Sequence, residues 1–146
     1  QGSAYVDSNW GSEPLETGFR YWDWSRAHTK DGARVLYDAF ERDGKNRQLA
    51  LAISKTGKVE EHAPPPRISL KTAPIWGVKR STLSDGKGPK TLQMLEDTPF
   101  YTRSHVGMSF DGEEVVAVHE SLDLDRFASP WVRFLLPFRM PRRANR

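Results

Sequence analysis

Apolar and polar residues alternate with period two through most of the chain, and clusters of Gly, Pro, Asp and Asn break the alternation at short intervals. Alternation of this kind puts successive side chains on opposite faces of an extended backbone, so it predicts strands. The pattern predicts strands over residues 18–27, 33–42, 47–54, 57–62, 67–71, 74–80, 90–95, 99–108 and 113–120. Lys30-Asp31-Gly32, Arg42 to Asn46, Lys55-Thr56-Gly57 and Phe110-Asp111-Gly112 read as tight hairpin connections. Pro64, Pro65 and Pro66 cannot sit inside a central strand and form a rigid connector. Residues 84–90 read as a flexible loop. Many short strands joined by hairpins form an antiparallel meander, which closes into a barrel or folds into a sandwich.

The end of the chain follows a different period. Phe127, Trp131, Phe134, Leu135 and Phe138 recur at roughly helical spacing with arginines between them. Pro130 suits the first turn of a helix that begins near Ser129, and Pro137 and Pro141 would end it. The expected organisation is a barrel over residues 1–121, with a C-terminal helix and basic tail over 122–146 packed on the same domain. The helix has two readings: an interfacial element resting on anionic lipid, or one that packs its aromatic face on the barrel.

Composition changes the picture in a few places. A chain of 146 residues with 37% hydrophobic and 28% charged residues has enough material for one domain with a single core. Aromatic residues reach 11%, with five Trp, which suits a sheet-rich core or a large flat ligand. The absence of cysteine excludes disulfides, thiolate metal sites and cysteine nucleophiles. No apolar run is long enough to span a membrane as a helix, and the first residues lack the basic-then-apolar order of a signal peptide. The net charge of +3 is local: six arginines and no acid lie from Arg126 onward, and the rest of the chain is net negative. A nucleic-acid partner is not expected, because such binders spread basic charge over a face of the fold.

Candidate chemistry lies where acids interrupt aromatic segments. In residues 33–42, Leu36, Asp38 and Phe40 share one strand face, while Val35, Tyr37 and Ala39 share the other. A carboxyl flanked by Leu and Phe loses hydration, so its pKa is expected to rise, and a carboxylic acid kept neutral can donate a proton. The alternative is an edge Asp near a turn, or one paired with Arg. In residues 18–27, Trp22 and Trp24 share one face and Tyr21, Asp23 and Ser25 the other. The two indoles are either plain core or the lining of an apolar channel. Tyr5, Asp7 and Asn9 share a face if their segment is extended, and Trp10 follows them. Tyr101, Arg103 and His105 share a face, and His119 alternates with apolar residues as a core histidine or a ligand. No metal-ligand spacing, phosphate-binding loop or nucleophile elbow is present. A site of carboxyl, phenol and indole groups without cofactor or metal remains.

The blocks YVDSNWGSEPLETGFRYWDWSRA, VLYD, EDTPFYTRS and VHESLDLDRFASPWVRFLLPFRMPRR resemble the C-terminal half of bacterial carotenoid 1,2-hydratases, also called hydroxyneurosporene synthases. The resemblance runs from Tyr5 to Arg143 in matching order and spacing. It implies an all-β, lipocalin-like antiparallel β-barrel, the second of two lobes in the longer members. It implies cofactor-independent addition of water across the C1–C2 double bond of acyclic carotenoids such as lycopene or neurosporene. It also implies a bacterial protein peripherally associated with the cytoplasmic side of the membrane. Its partners would be the carotenoid or isoprenoid substrate and either the missing N-terminal lobe or a second copy of the chain. Family catalysis is thought to use Asp, Tyr, Trp and His residues around these blocks.

Hydrating a trisubstituted alkene needs a strong proton donor in a dry site, stabilisation of a tertiary cation, and one held water. Asp38 is the candidate acid, with Tyr37, Trp10 and Trp24 as catalytic partners. Trp22, Asp7, Asn9, Tyr101 and His119 are the candidate substrate-binding residues. Ser8 stands where a family His is expected, which moves that role to His119 or His105. Two other functions use the same fold: a non-catalytic lobe that binds a carotenoid or other isoprenoid, and a cofactor-free polyene cyclase. A binding lobe should tolerate Asn at position 38, and a cyclase product keeps its mass.

Overall fold

The computed structural model describes residues 10–86 and 88–136. Strands β1 (Phe19–Thr29), β2 (Gly32–Glu41), β3 (Asn46–Ser54) and β4 (Val59–His62) form the first run of hairpins. A short pair follows, β5 (Arg67–Ser69) and β6 (Ser81–Leu83), and then β7 (Lys90–Asp97), β8 (Tyr101–Phe110) and β9 (Glu113–Asp123). Seven of them make one antiparallel sheet in the order β4-β3-β2-β1-β9-β8-β7. The architecture is therefore all-β and antiparallel, as the alternation implies. Pairing of β1 with β9 joins the two hairpin runs in the middle of the sheet, and β4 and β7 stand at its two edges.

Burial follows the period-two pattern and identifies the inner face. Asp23, Ser25 and Ala27 of β1, Leu36 and Asp38 of β2, and Ala50 and Ala52 of β3 are buried. So are Thr102, Ser104, Val106 and Met108 of β8, and Ala117, His119 and Ser121 of β9. The β5–β6 hairpin lies against this face. All three residues of β6 are buried, and β6 packs on both β1 and β2. Leu83 joins Leu36, Val106, Met108, Phe110 and the small Ala27, Ala50 and Ala117 in one apolar cluster. The small residues let the hairpin approach the sheet, and Leu83 and Met108 fill the space that they leave.

The structure differs from the sequence pattern in three places. Residues 74–80 are not a strand but a turn. Val78 O accepts from Ala73 N, and Ala73 O accepts from Gly77 N. The Asp97 carboxylate accepts the N–H groups of Ile75 and Trp76, and Arg126 donates to the carbonyls of Trp76 and Gly77. This clamp overrides the strand preference of Ile-Trp-Val. β6 and the short helix α1 (Leu15–Gly18) have no signal in the alternation because each is only one turn or three residues long.

Near the C-terminus, α2 (Leu124–Phe127) is capped by Asp123, which accepts from Arg126 N at 2.9 Å. Helix α3 (Pro130–Leu135) starts at the expected proline. It buries Val132 and leaves Trp131 and Phe134 exposed, so its aromatic face is not packed on the sheet. Trp131 stacks on Trp76 with ring centroids 6.0 Å apart. Phe138, Pro137 and Pro141 lie outside the described residues.

Turn chemistry holds the register. Asp111 and Gly112 both have positive φ, as a two-residue hairpin turn demands. Gly32 is more constrained: its φ is +151°, and a Cβ there would sit 1.9 Å from the backbone oxygen of Ile53. Gly57, with φ +84°, has open space. Gly32→Ala is therefore expected to destabilise the fold by more than about 2 kcal/mol, because strand β3 must move. Gly57→Ala should cost only the left-handed backbone penalty of about 1 kcal/mol. Urea unfolding of the two variants checks the order, and equal losses would refute the packing argument.

Candidate active site

The β1–β2 turn pairs Thr29 with Gly32, and that register sets Asp23 directly opposite Asp38. Both face inward, at 3% and 1% exposure. Like charges directly opposite in a dry interior are unfavourable, and the surroundings resolve the conflict differently for each acid. Asp38 is held by both arms of Arg67, with Nη2 donating to Oδ1 at 2.6 Å and Nε donating to Oδ2. The same guanidinium sits 4.0 Å above the Phe40 ring. Asp23 receives no cation: it accepts from Ser81 Oγ at 2.6 Å, from Ser121 Oγ and from the Ser81 backbone. Burial pushes Asp23 up to about 6, against the pull of the two serines and with a smaller push from the Asp38 charge.

His119 continues the network. It is fully buried, and burial together with the nearby Arg80 cation lowers it to about 3, so its imidazole is neutral. Nε2 lies 3.1 Å from Ser121 Oγ, and Nδ1 lies 2.9 Å from Ser25 Oγ, which is 2.9 Å from Thr82 Oγ1. When Asp23 is ionised, Ser121 donates to it and can accept the Nε2–H of His119. When Asp23 is protonated, it can donate to Ser121, which then donates to a bare Nε2. Ser121 Oγ therefore bridges Asp23 and His119, and the His119 ring also bonds the Trp24 backbone.

The β5–β6 hairpin also supplies a buried cation, whereas Arg67 is exposed. Arg80 is 4% exposed and donates to Ser104 Oγ, to Thr91 Oγ1 at 3.1 Å and to Lys71 O at 3.3 Å. Burial lowers its pKa, and the field of Asp23 opposes that shift. The space bounded by Asp23, Ser25, Leu36, Asp38, Thr82 and Leu83 is too small to admit a water molecule.

Of the sequence candidates, Asp38 and His119 share this inner face. Tyr37, Trp22 and Trp24 belong to the other face of β1 and β2. There Trp24 meets Tyr37 edge-on at 6.4 Å, and Trp22 meets Phe19 at 6.2 Å. The indoles are therefore not grouped with the carboxylates, because strand alternation turns them outward. Trp10 is 89% exposed. Tyr101 and His105 sit on the outer face of β8. Burial and Glu120 raise the Tyr101 pKa. Asp7 and Asn9, with Tyr5 and Ser8, lie outside the described residues.

The aromatic ring beside the acids is Tyr21. It stacks on Phe40 with centroids 4.2 Å apart, and burial raises its pKa while Arg67 opposes the shift. Asp23, Tyr21, Arg67 and the serines are thus the site residues that the candidate set missed. The shared face of Tyr21, Asp23 and Ser25 is legible in the alternation. Arg67 follows a proline connector and gives no local signal.

The two pKa shifts carry opposite signs for stability. A raised carboxyl means that stability is present below the unfolded value of 3.8 and falls as pH rises to about 6. A lowered histidine means that stability is present above 6.5 and falls as pH drops toward about 3. Between pH 4 and 6 the two slopes oppose each other. Relative to the parent chain, Asp23→Asn should make stability climb with pH across this window, and His119→Gln should make it fall. Unfolding free energies at several pH values check both signs, and parallel profiles in all three proteins would contradict the assignment.

The carotenoid hydratase CrtC family pattern matches residues 1–146. The acyclic carotenoid 1,2-hydratase of Thiocapsa roseopersicina is 53% identical over 97% of this chain and 35% of its own length. That of Rubrivivax gelatinosus is 43% identical over 98% of this chain and 36% of its own length. That of Cereibacter sphaeroides is 40% identical over 97% of this chain and 51% of its own length. The chain thus spans between a third and a half of these relatives and corresponds to their C-terminal part. A crystal structure of a candidate AttH from Nitrosomonas europaea shares the fold, with TM-score 0.54 and 18% identity over 78% of this chain and 42% of that one. The chain belongs to the carotenoid hydratase CrtC family.

Proposed function

We propose that this chain carries the proton-donating site of an acyclic carotenoid 1,2-hydratase. One observation supports the reading above others: a carboxyl that is buried, opposed by a second carboxylate and raised to about 6. Near neutral pH such a group is a usable acid in a dry site. The donor in this reading is Asp23. Asp38 is ion-paired with Arg67, and that pairing suits an electrostatic and positioning role better than proton donation.

The reaction balances with these groups alone. The Asp23 proton is transferred to C2 of the terminal double bond as its π electrons form the new C–H bond. C1 becomes a tertiary cation. The Tyr21 ring and the Asp38 carboxylate are the nearest groups that favour positive charge. A water oxygen attacks C1, and the proton that it sheds returns to the Asp23 carboxylate. Net, one water is added and the acid is regenerated. The structure leaves no room for a water beside the acids, so this reading requires the space to open, and the serine and threonine hydroxyls of this face would then hold the water.

Incubation of the chain with lycopene or neurosporene in detergent, followed by mass analysis, tests the proposal. The expected product is heavier by one water. Asp23→Asn should lower its rate by on the order of 10²–10⁴-fold, the usual worth of a general acid. Asp38→Asn should slow the reaction and keep it measurable. The reverse result, with Asp38→Asn dead and Asp23→Asn active, returns the acid to Asp38. A product of unchanged mass would identify a cyclase. Bound pigment without product from the parent chain would identify a binding lobe.

A further inference from the structure

A cavity of about 240 Å³ opens at the end of the sheet beside the β8–β9 turn. Its walls are apolar: Leu36, Ala50, Leu51, Phe110, Pro65 and Pro66. Arg34, His62, Asp85 and Asp111 also line it. Arg34 pairs with Asp111 at 3.0 Å, and Asp85 accepts the Asp111 N–H at 2.7 Å. The proline connector forms a fixed wall because its backbone has little freedom.

The cavity points at the acids. Arg34, Leu36 and Asp38 alternate along β2, so they share a face with about 7 Å between successive members. Arg34 stands at the rim, Leu36 at the inner end and Asp38 beyond it. Leu36 also lines the closed space around Asp23 and Asp38. One buried side chain thus separates an open apolar cavity from the carboxylate pair.

We propose that this cavity receives the end of an acyclic apolar chain and that Leu36 is the gate between it and Asp23. The volume fits the end of a molecule and not a whole one. It is below the ~300–1,000 Å³ of sites that enclose a drug-sized ligand. At roughly 30 Å³ per heavy atom it holds about eight. The apolar wall residues favour a hydrocarbon end over a charged group at the inner part of the cavity. Rotation of Leu36 would join the two spaces and bring the chain terminus to the acid. The identity of the chain rests on the hydratase reading, but binding can be measured without turnover.

The probe is 2-methylhept-2-ene, an eight-carbon trisubstituted alkene, titrated into the chain and followed by backbone amide and methyl NMR. Saturable shifts are expected at Ala50, Leu51 and Leu36. Ala63→Trp, at an exposed position on the mouth, should weaken binding about tenfold or more by filling the opening. Leu36→Ala should extend the perturbation to Ser25 and Thr82. Shifts that fail to saturate, that persist unchanged in Ala63→Trp, or that centre on exposed Trp131 would overturn the site. Shifts in Leu36→Ala that stop at Ala50 would overturn the gate. The Ala63 variant tests the site even if Leu36→Ala fails to fold. Saturable binding by the parent chain without any hydrated product rejects the reaction and leaves the cavity standing.

Discussion

Two carboxylates set opposite each other in a dry interior impose the constraint that the rest of this structure answers. The register of one hairpin fixes them there, since pairing Thr29 with Gly32 sets Asp23 opposite Asp38 on β2. Two buried like charges at that separation cannot both persist without compensation. One acid is given a bidentate guanidinium and the other is given hydroxyls. The asymmetry separates their roles: Asp38 is ion-paired, and Asp23 is pushed toward its neutral form. A pair of acids driven apart in this way is a recurring arrangement for proton-transfer chemistry.

The β5–β6 hairpin supplies most of that answer. Arg67, Arg80, Ser81, Thr82 and Leu83 all come from it, and each touches a different part of the inner face. Its far end is tied down by Asp97 and Arg126 through backbone groups, so it sits as a fixed insert. Small barrels either fill their interiors with side chains or leave room for one ligand. Here the sheet is open between β4 and β7, the β5–β6 hairpin covers part of its inner face, and a side cavity lies beyond Leu36. Buried charges of this kind rarely maximise stability, because desolvation consumes much of what pairing returns. Their presence is easier to understand as chemistry than as scaffolding.

The strands, the hairpin turns and the first residues of α3 were legible in the sequence because each follows from a local rule: side-chain period, turn residues and proline at a helix start. The face that Asp38 shares with Leu36 and Phe40 was legible for the same reason, but both faces of that strand are apolar, so which one points inward was not. The turn at 74–80 was not, because its Ile-Trp-Val content points to a strand and the carboxylate and guanidinium that hold it are distant in sequence. The site was half legible. Alternation separates Asp23 from Trp22 and Trp24, yet the aromatic richness of that segment drew attention to the indoles. Asp38 read as a desolvated acid because its neighbours in sequence are Leu and Phe. Its neighbour in space is Arg67, and nothing within the strand announces a cation arriving from 29 residues away.

The most direct measurement is an NMR titration of the Asp23 side-chain carboxyl in the folded chain. A midpoint near pH 6 is expected in the folded chain, moving into the ordinary carboxylate range when urea unfolds it. A folded-state midpoint already in the ordinary range would contradict the assignment of Asp23 as the acid and leave the opposed pair as a structural feature of the sheet.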